Sequence, residues 1–181
     1  MERHSQNPFD ILEREERIDG RRVIHDDDIF IVSTFAPVCP GEILVFPKED
    51  IAHILQTTES NRRRITRSIL GIFPALFFYR GITNLNIAVH MAAFTEMEQA
   101  RKYYRWHMHI YPRRSKLPIE QGGSELGFST WVIDTMPETI AEVLRCWYQN
   151  GPVEELVAKN GDGSPDPGLL QEFRRHVRNG G

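Results

Sequence analysis

The stretch RWHMHIY, at residues 105–111, constrains the fold of this 181-residue chain more than any other segment. Apolar and polar side chains alternate along it, which is the period-two pattern of a strand with one face in a core. His107 and His109 then point to the same face, with Cα atoms about 6.6 Å apart, while Met108 and Ile110 point to the other face. The chain must therefore build a sheet that buries one side of this strand and leaves two imidazoles on the opposite side.

The other segments predict an α+β fold. Short apolar runs predict further strands over 22–25, 29–33, 42–47, 84–90 and 127–133, and Pro112 should end the histidine strand. Helical periodicity predicts helices over 8–17, 58–79 and 137–148, with a kink at Pro74 in the second, and residues 94–104 resemble a loop. Strand runs separated by helices, without regular βαβ alternation, favour a largely antiparallel sheet.

Composition limits the class of protein. A chain with 40% hydrophobic and 26% charged residues fits one folded domain, which we place at residues 1–150, followed by a C-terminal extension at 151–181 with a short helix over 169–178. A net charge of −3 provides no general attraction to nucleic acid or to anionic membranes, and the longest apolar run is too short for a membrane span. Two distant cysteines and no apolar leader predict a cytoplasmic protein.

A third histidine belongs to the same group. His90 ends the 84–90 strand, so its imidazole meets those of His107 and His109 if the two strands pair. Three imidazoles can hold zinc or iron and leave coordination positions open. One of them can instead attack phosphorus and form a covalent phosphohistidine. A third alternative is structural, with half-buried strand histidines that bond backbone carbonyls, and the spacing alone leaves all three open.

Several stretches, in their order along the chain, resemble the histidine triad (HIT) superfamily. RWHMHIYPR is similar to the signature strand of that superfamily, in which alternating histidines precede Pro-Arg. The rest is similar to one branch, the C-terminal half of galactose-1-phosphate uridylyltransferases and of ADP-glucose phosphorylases. The matching stretches are NPFDILEREE, DGRRVIHDDDIFIV, FAPVCPGEILVFPK, NLNIAVH, and GGSELG leading to PETIAEVLR. Together they span roughly residues 7–148.

The resemblance implies a HIT-like fold, with an antiparallel sheet of about five strands, a long helix and a C-terminal helix, and it implies a homodimer. It also implies that His90, His107 and His109 hold one zinc or iron ion per chain. In the HIT register His107 stands at the position of the nucleophile. His107 is therefore the catalytic residue under the alternative, metal-independent interpretation.

The resemblance further implies a nucleotide or sugar-phosphate ligand, and four residues are candidates to bind it. Asn86, four residues before His90, would contact phosphate or sugar, and Arg113 directly follows the histidine strand, where it can meet a phosphate. Glu125 falls beside the site in the family pattern and can supply a carboxylate ligand or orient an imidazole. Arg105 stands in place of the first histidine of the triad; an arginine binds phosphate but cannot act as a neutral imidazole acceptor.

The chain also departs from the family pattern. It carries only the C-terminal type of unit, without the His-Pro-His nucleophile, and Asn7-Pro8-Phe9-Asp10 stands where many members have Cys-x-x-Cys. Arg105, in place of the first triad histidine, weighs against hydrolase activity and favours a metal-binding HIT-like protein that binds or acts on a nucleotide or sugar phosphate. A nucleotidyltransferase or nucleotide hydrolase that uses His107 is the alternative, so the sequence leaves open whether the protein is an enzyme.

Overall fold

The computed structural model describes residues 7–80, 82, 84–113, 123–128 and 130–150. The C-terminal extension predicted at 151–181, with its short helix, lies outside these residues. The elements are, in chain order, α1 (Pro8–Asp19), β1 (Val23–Asp26), β2 (Ile29–Ser33), β3 (Ile43–Pro47), a 3-10 helix (Ile54–Gln56), α2 (Glu59–Leu70), α3 (Ile72–Arg80), β4 (Asn84–His90), a second 3-10 helix (Phe94–Glu96), α4 (Met97–Ala100), β5 (His107–Arg113), α5 (Gly123–Phe128) and α6 (Pro137–Asn150).

The five strands form one antiparallel sheet in the order β1-β2-β3-β5-β4. The two strands with histidines are neighbours, with His90 opposite His107 and Ala88 opposite His109. On its other side β5 pairs with β3, which places Leu44 opposite His109. The predicted α+β fold with an antiparallel sheet of about five strands is confirmed.

The two faces of the sheet pack differently. One face forms the main core, where Ile31, Ile43, Val45 and Ile110 of the strands meet buried side chains of α2, α3 and α6 such as Ile69, Ile72, Ile140 and Leu144. On the opposite face a smaller cluster joins β2 and β3 to α1 through Phe30, Val32, Leu44 and Phe46, with Phe9 and Leu12 packed against them. Because Leu44 shares this second face with His109, the histidines lie beside α1.

Helix α1 begins and ends at residues suited to those positions. The side chain of Asn7 accepts a hydrogen bond of 3.1 Å from the backbone N–H of Phe9, and Pro8 occupies the first turn. Gly20 ends the helix at φ +70°, in the left-handed region that glycine favours, and its N–H donates to the carbonyl of Glu16. The helix predicted over 8–17 is confirmed, two residues longer than expected.

The long helix predicted over 58–79 is two helices, and the break falls at Gly71 rather than at Pro74. Pro74 causes it, because a proline has no N–H and its ring clashes with the carbonyl four residues earlier, which is that of Leu70. Leu70 is the last residue of α2. Pro74 then occupies the first turn of α3, where its missing N–H costs nothing.

The strand predicted over 127–133 is wrong. Residues 127 and 128 end α5, and the described residues that follow, 130–136, contain no strand. Trp131 and Val132 are exposed instead of packed against a neighbouring strand. An alternating pattern forms a strand only where a partner strand offers its hydrogen bonds, and that partner is not encoded locally.

Strand β5 begins and ends later than predicted. It begins at His107, because the N–H of Trp106 donates to the carbonyl of Ile51 outside the sheet, at 2.8 Å. It continues through Pro112 to Arg113, beyond the last β3 partner of β5, Ile110, so the proline lies where the strand has one neighbour. The predicted loop at 94–104 contains the second 3-10 helix and α4. None of the described helices is long and apolar enough to cross a membrane.

Candidate metal and ligand site

Three imidazoles meet where β4 and β5 pair. His90, His107 and His109 each offer one nitrogen, and these three atoms all lie within 4.8 Å of one another. The rings of His90 and His107 are stacked, with centroids 4.9 Å apart and an interplanar angle of 13°. The ring of His109 stands edge-on to both, at 5.6 Å from His90 and 5.5 Å from His107. The structure thus brings the three predicted metal ligands together.

Hydrogen bonds hold two of these rings in a defined tautomer. The Nδ1 of His107 lies 3.1 Å from the backbone carbonyl of Arg105, and a carbonyl only accepts, so Nδ1 carries the hydrogen. The Nδ1 of His109 lies 2.7 Å from Oε1 of Glu42 and donates to that carboxylate. In the neutral form of each ring the lone pair is therefore on Nε2. This is the nitrogen that can bind a metal or attack an electrophile.

The electrostatics of the site favour neutral imidazole at His107. Burial lowers the pKa of His107, and positive charge on His90 or His109 lowers it further, against the opposing effect of the hydrogen bond to Arg105. Only the neutral ring has a lone pair for a metal or a phosphorus atom. The surroundings of His107 therefore keep it in the reactive form at neutral pH.

Four residues that the sequence did not single out complete the site. Phe9 of α1 and Tyr104 lie against the ring of His107, at 5.0 and 5.5 Å between centroids. Tyr111 stacks on His109 at 5.7 Å with an angle of 9°. The fourth is Glu42. Its charge immediately before the apolar run ILVFP was the one sequence feature that could have indicated a role in the site.

The side chain of Arg105 bonds carboxylates, although a phosphate-binding role was expected for it. Its side chain is 5% exposed, and Nε bonds Asp50, Nη1 bonds Glu13 and Nη2 bonds Asp10. These carboxylates belong to α1 and to the loop after β3. The guanidinium thus ties α1 to the start of β5, and its donors are directed to carboxylates rather than to a ligand.

Two further candidates share the face of the histidines but lie toward its other end. Asn86 is opposite Tyr111, four residues and about 13 Å along β4 from His90. Arg113 ends β5, six residues and about 20 Å from His107, and is exposed. Glu125 belongs to α5, and its side chain lies outside the described residues.

The three histidines fit a transition metal. Zinc binds imidazole nitrogen at about 2.0–2.1 Å, so tetrahedral ligands lie about 3.3 Å apart. The present limit of 4.8 Å exceeds that value by about 1.5 Å, so the nitrogens must move closer together to share one ion. His90 is exposed on the edge strand, where its ring has room to move. Three neutral nitrogen donors are the set that zinc and iron accept, with positions left for a further ligand.

Comparison with solved structures shows the same fold in larger proteins. A uridylyltransferase structure superimposes with a TM-score of 0.68 and 22% identity, over 83% of this chain and 47% of that chain. A GalT-like protein from Arabidopsis thaliana gives 0.58 and 21%, over 76% and 46%. An ADP-glucose phosphorylase from the same plant, solved with bound ADP-glucose, gives 0.58 and 20%, over 75% and 46%. The present chain therefore spans about half the length of these proteins.

The family follows from the sequence match. No curated protein matches the chain. The HIT domain family matches residues 15–116, which are more than half of the chain and include all three histidines. By this match, and with the five-stranded fold just described, the chain belongs to the HIT domain family.

Proposed function

We propose that the protein binds one zinc or iron ion per chain through His90, His107 and His109. We further propose that the adjacent face of the sheet binds a nucleotide or sugar phosphate. The observation that carries the first part is the set of three imidazole nitrogens within 4.8 Å, two of them on rings whose Nδ1 donates a hydrogen bond. A bound ion would supply positive charge and polarise an oxygen of a ligand beside it.

The ligand part of the proposal rests on what surrounds the histidines. Aromatic rings of Phe9, Tyr104 and Tyr111 offer surfaces on which a base can stack. Asn86 and Arg113 lie further along the same face of the sheet, and Glu125 is a further candidate. The ADP-glucose bound to one of the similar structures supports this class of ligand.

His107 also favours a second function, that of a nucleotidyltransferase or nucleotide hydrolase. Its Nε2 has a free lone pair, and burial keeps the ring neutral. In this alternative Nε2 attacks the α-phosphorus of a nucleotide and an N–P bond forms. The P–O bond to the leaving group breaks, and the leaving group departs with the electron pair. An imidazole that coordinates a metal through Nε2 cannot do this, so the two functions exclude each other at His107.

Elemental analysis of untagged protein tests the metal site. We expect about one zinc or iron per chain in the wild type and a sharp loss in His107→Ala, which retains only two ligands. His53→Asn is the control, since His53 caps a 3-10 helix through its side chain and asparagine keeps that hydrogen bond. At a free metal concentration 100 times Kd, binding should add about 2.7 kcal/mol to the free energy of unfolding, which EDTA removes.

Two results would contradict the metal site. The first is a wild-type protein that stays metal-free after incubation with zinc or Fe²⁺. The second is a metal content unchanged by His107→Ala. Metal-free protein that forms an acid-labile adduct with labelled nucleotide, lost in His107→Ala, would establish the alternative.

For the ligand, calorimetry with ADP-glucose should show binding that weakens in Asn86→Ala, and no heat with any nucleotide sugar would reject this part.

The cytoplasmic location and the domain limit at residue 150 remain predictions. We also propose a homodimer that forms through β4. Among the described strands β4 is an edge, seven residues long, with no proline, lysine or bulge, and Ile87 and Val89 are 44% and 40% exposed. The other edge, β1, has four residues and an irregular register, which discourages pairing. A bare edge of this kind pairs readily with a second copy.

Light scattering at micromolar concentration tests the dimer. The mass should be twice the 21.0 kDa of one chain, and Ile87→Lys should halve it. Ile18→Lys is the matched control, because Ile18 is also an exposed isoleucine but lies on α1. A wild-type mass of one chain would reject the proposal.

A further inference from the structure

The carboxylate of Glu42 is hydrogen-bonded to one of the three histidines, His109. We infer that Glu42 is a positioning residue, which keeps His109 in the tautomer and orientation that direct Nε2 toward His90 and His107. The inference rests on the proposed metal site for its effect on affinity, but the tautomer itself can be observed without metal. Glu42 precedes β3, in a different segment from any of the three histidines.

The carboxylate of Glu42 is fixed on both sides. Its side chain is 4% exposed, Oε1 lies 2.7 Å from Nδ1 of His109, and Oε2 accepts a 2.7 Å hydrogen bond from the backbone N–H of Val38. The Glu42 backbone is held as well, by its N–H to the carbonyl of Cys39 and by its carbonyl to the N–H of Thr34. A carboxylate held in this way cannot rotate away, so it determines which nitrogen of His109 carries hydrogen.

The negative charge of Glu42 also indicates a role beside a metal ion. A buried carboxylate is costly unless hydrogen bonds and positive charge compensate it. One of its two hydrogen bonds is to the Val38 amide, for which a neutral acceptor would serve equally well. The other is to an imidazole whose far side faces the proposed ion. A carboxylate behind a ligating histidine raises the basicity of the ring and balances the charge of the metal.

Glutamine at position 42 is neutral and similar in shape to glutamate, but it cannot keep both hydrogen bonds of the Glu42 carboxylate. The amide has one oxygen and one NH₂ group. If its oxygen faces His109, the NH₂ faces the N–H of Val38, and two donors oppose each other. If the NH₂ faces His109, the hydrogen of the imidazole moves to Nε2, which is the proposed ligand atom. Either arrangement disturbs His109, and loss of such a partner lowers metal affinity about 10–100-fold.

A double-mutant cycle on zinc affinity tests the inference. We expect Glu42→Gln to weaken zinc binding about 10–100-fold, measured by competition with a chromophoric chelator. In a His109→Ala background the same change should have no further effect, because the residue on which it acts is gone. Glu16→Gln is the control, since Glu16 is an equally buried carboxylate that bonds Arg22 rather than a histidine, and it should leave zinc affinity unchanged. Circular dichroism checks that each variant is folded.

The outcomes are distinct. Unchanged affinity in Glu42→Gln, or an equal loss with and without His109, would overturn the positioning role. If the wild type binds no zinc, the proposed function fails. The positioning role of Glu42 is then tested by the tautomer of His109 in the metal-free protein. Two-bond ¹⁵N–¹H correlation spectra of metal-free protein at pH 8 should show His109 with hydrogen on Nδ1 in the wild type and on Nε2, in part or fully, in Glu42→Gln. The same tautomer in both proteins would overturn the inference.

Discussion

Replacement of Arg105 by methionine should destabilise the fold. The guanidinium bonds three carboxylates, and removing one partner of a buried ion pair costs about 3–5 kcal/mol. Here Asp10 and Asp50 are 39% and 54% exposed and regain water, and Glu13 keeps Arg17 at 2.8 Å. We therefore expect a loss of about 2–3 kcal/mol, below that range. With about 2–4 °C per kcal/mol for a domain of this size, Tm should fall by about 5–10 °C.

Urea unfolding followed by tryptophan fluorescence measures this loss, because Trp106 is fully buried beside Arg105. Arg101→Met is the control, since Arg101 is exposed and bonds Glu98 and the carbonyl of Asp50, and it should cost about 0.5 kcal/mol or less. A loss below about 0.5 kcal/mol in Arg105→Met would show that these three ion pairs contribute little to stability. So would unchanged stability together with weaker binding of a phosphorylated ligand, which would make Arg105 a ligand residue.

Two further predictions concern a turn and the histidines. Gly41→Ala should lower the free energy of unfolding by about 1–2 kcal/mol, because Gly41 has φ +82°, which strains any residue with a Cβ. The new Cβ would meet only ordinary contacts, so this loss reports backbone strain alone. Gly127→Ala on α5 is the control and should cost nothing, and equal effects of the two changes in urea unfolding would contradict the prediction. In EDTA, the free energy of unfolding should fall as pH drops from about 7 through 6. Burial holds the pKa values of His107 and His25 in the folded protein below the unfolded value of about 6.5. The unfolded chain therefore takes up protons first, and this uptake favours unfolding. His107→Gln should reduce that pH dependence, and a slope identical to that of the wild type would show that His107 has no such shift.

The strands with histidines were predictable because their information is local. Alternation of apolar and polar side chains defines a strand and the face of each residue, so His107 and His109 had to share a side. The strand over 84–90 was predicted at its observed bounds for the same reason. Proline at position 74 also carried a local signal, but the break that it causes lies one turn earlier, at Gly71, because the obstructed carbonyl belongs to Leu70.

The surroundings of the site were not predictable, because they depend on residues distant in sequence. Glu42 reaches His109 across 67 positions, and Arg105 reaches Asp10 across 95. A charged residue before an apolar run, or an arginine before a histidine strand, has the same local pattern whether it meets solvent, ligand or a buried partner. The strand predicted over 127–133 failed for a related reason, since its pattern required a neighbouring strand that the described fold does not provide there.

Local sequence patterns were enough to predict the α+β class, the two strands that carry the histidines and the face on which His107 and His109 lie. These properties follow from periodicity, which the backbone geometry of strands and helices imposes residue by residue. The folded structure pairs β4 with β5 in the register that sets His90 opposite His107, and it places Glu42 where it orients His109. It also brings the Arg105 guanidinium to the carboxylates of α1. Register and side-chain partners result from the packing of the whole core, in which each contact depends on all the others.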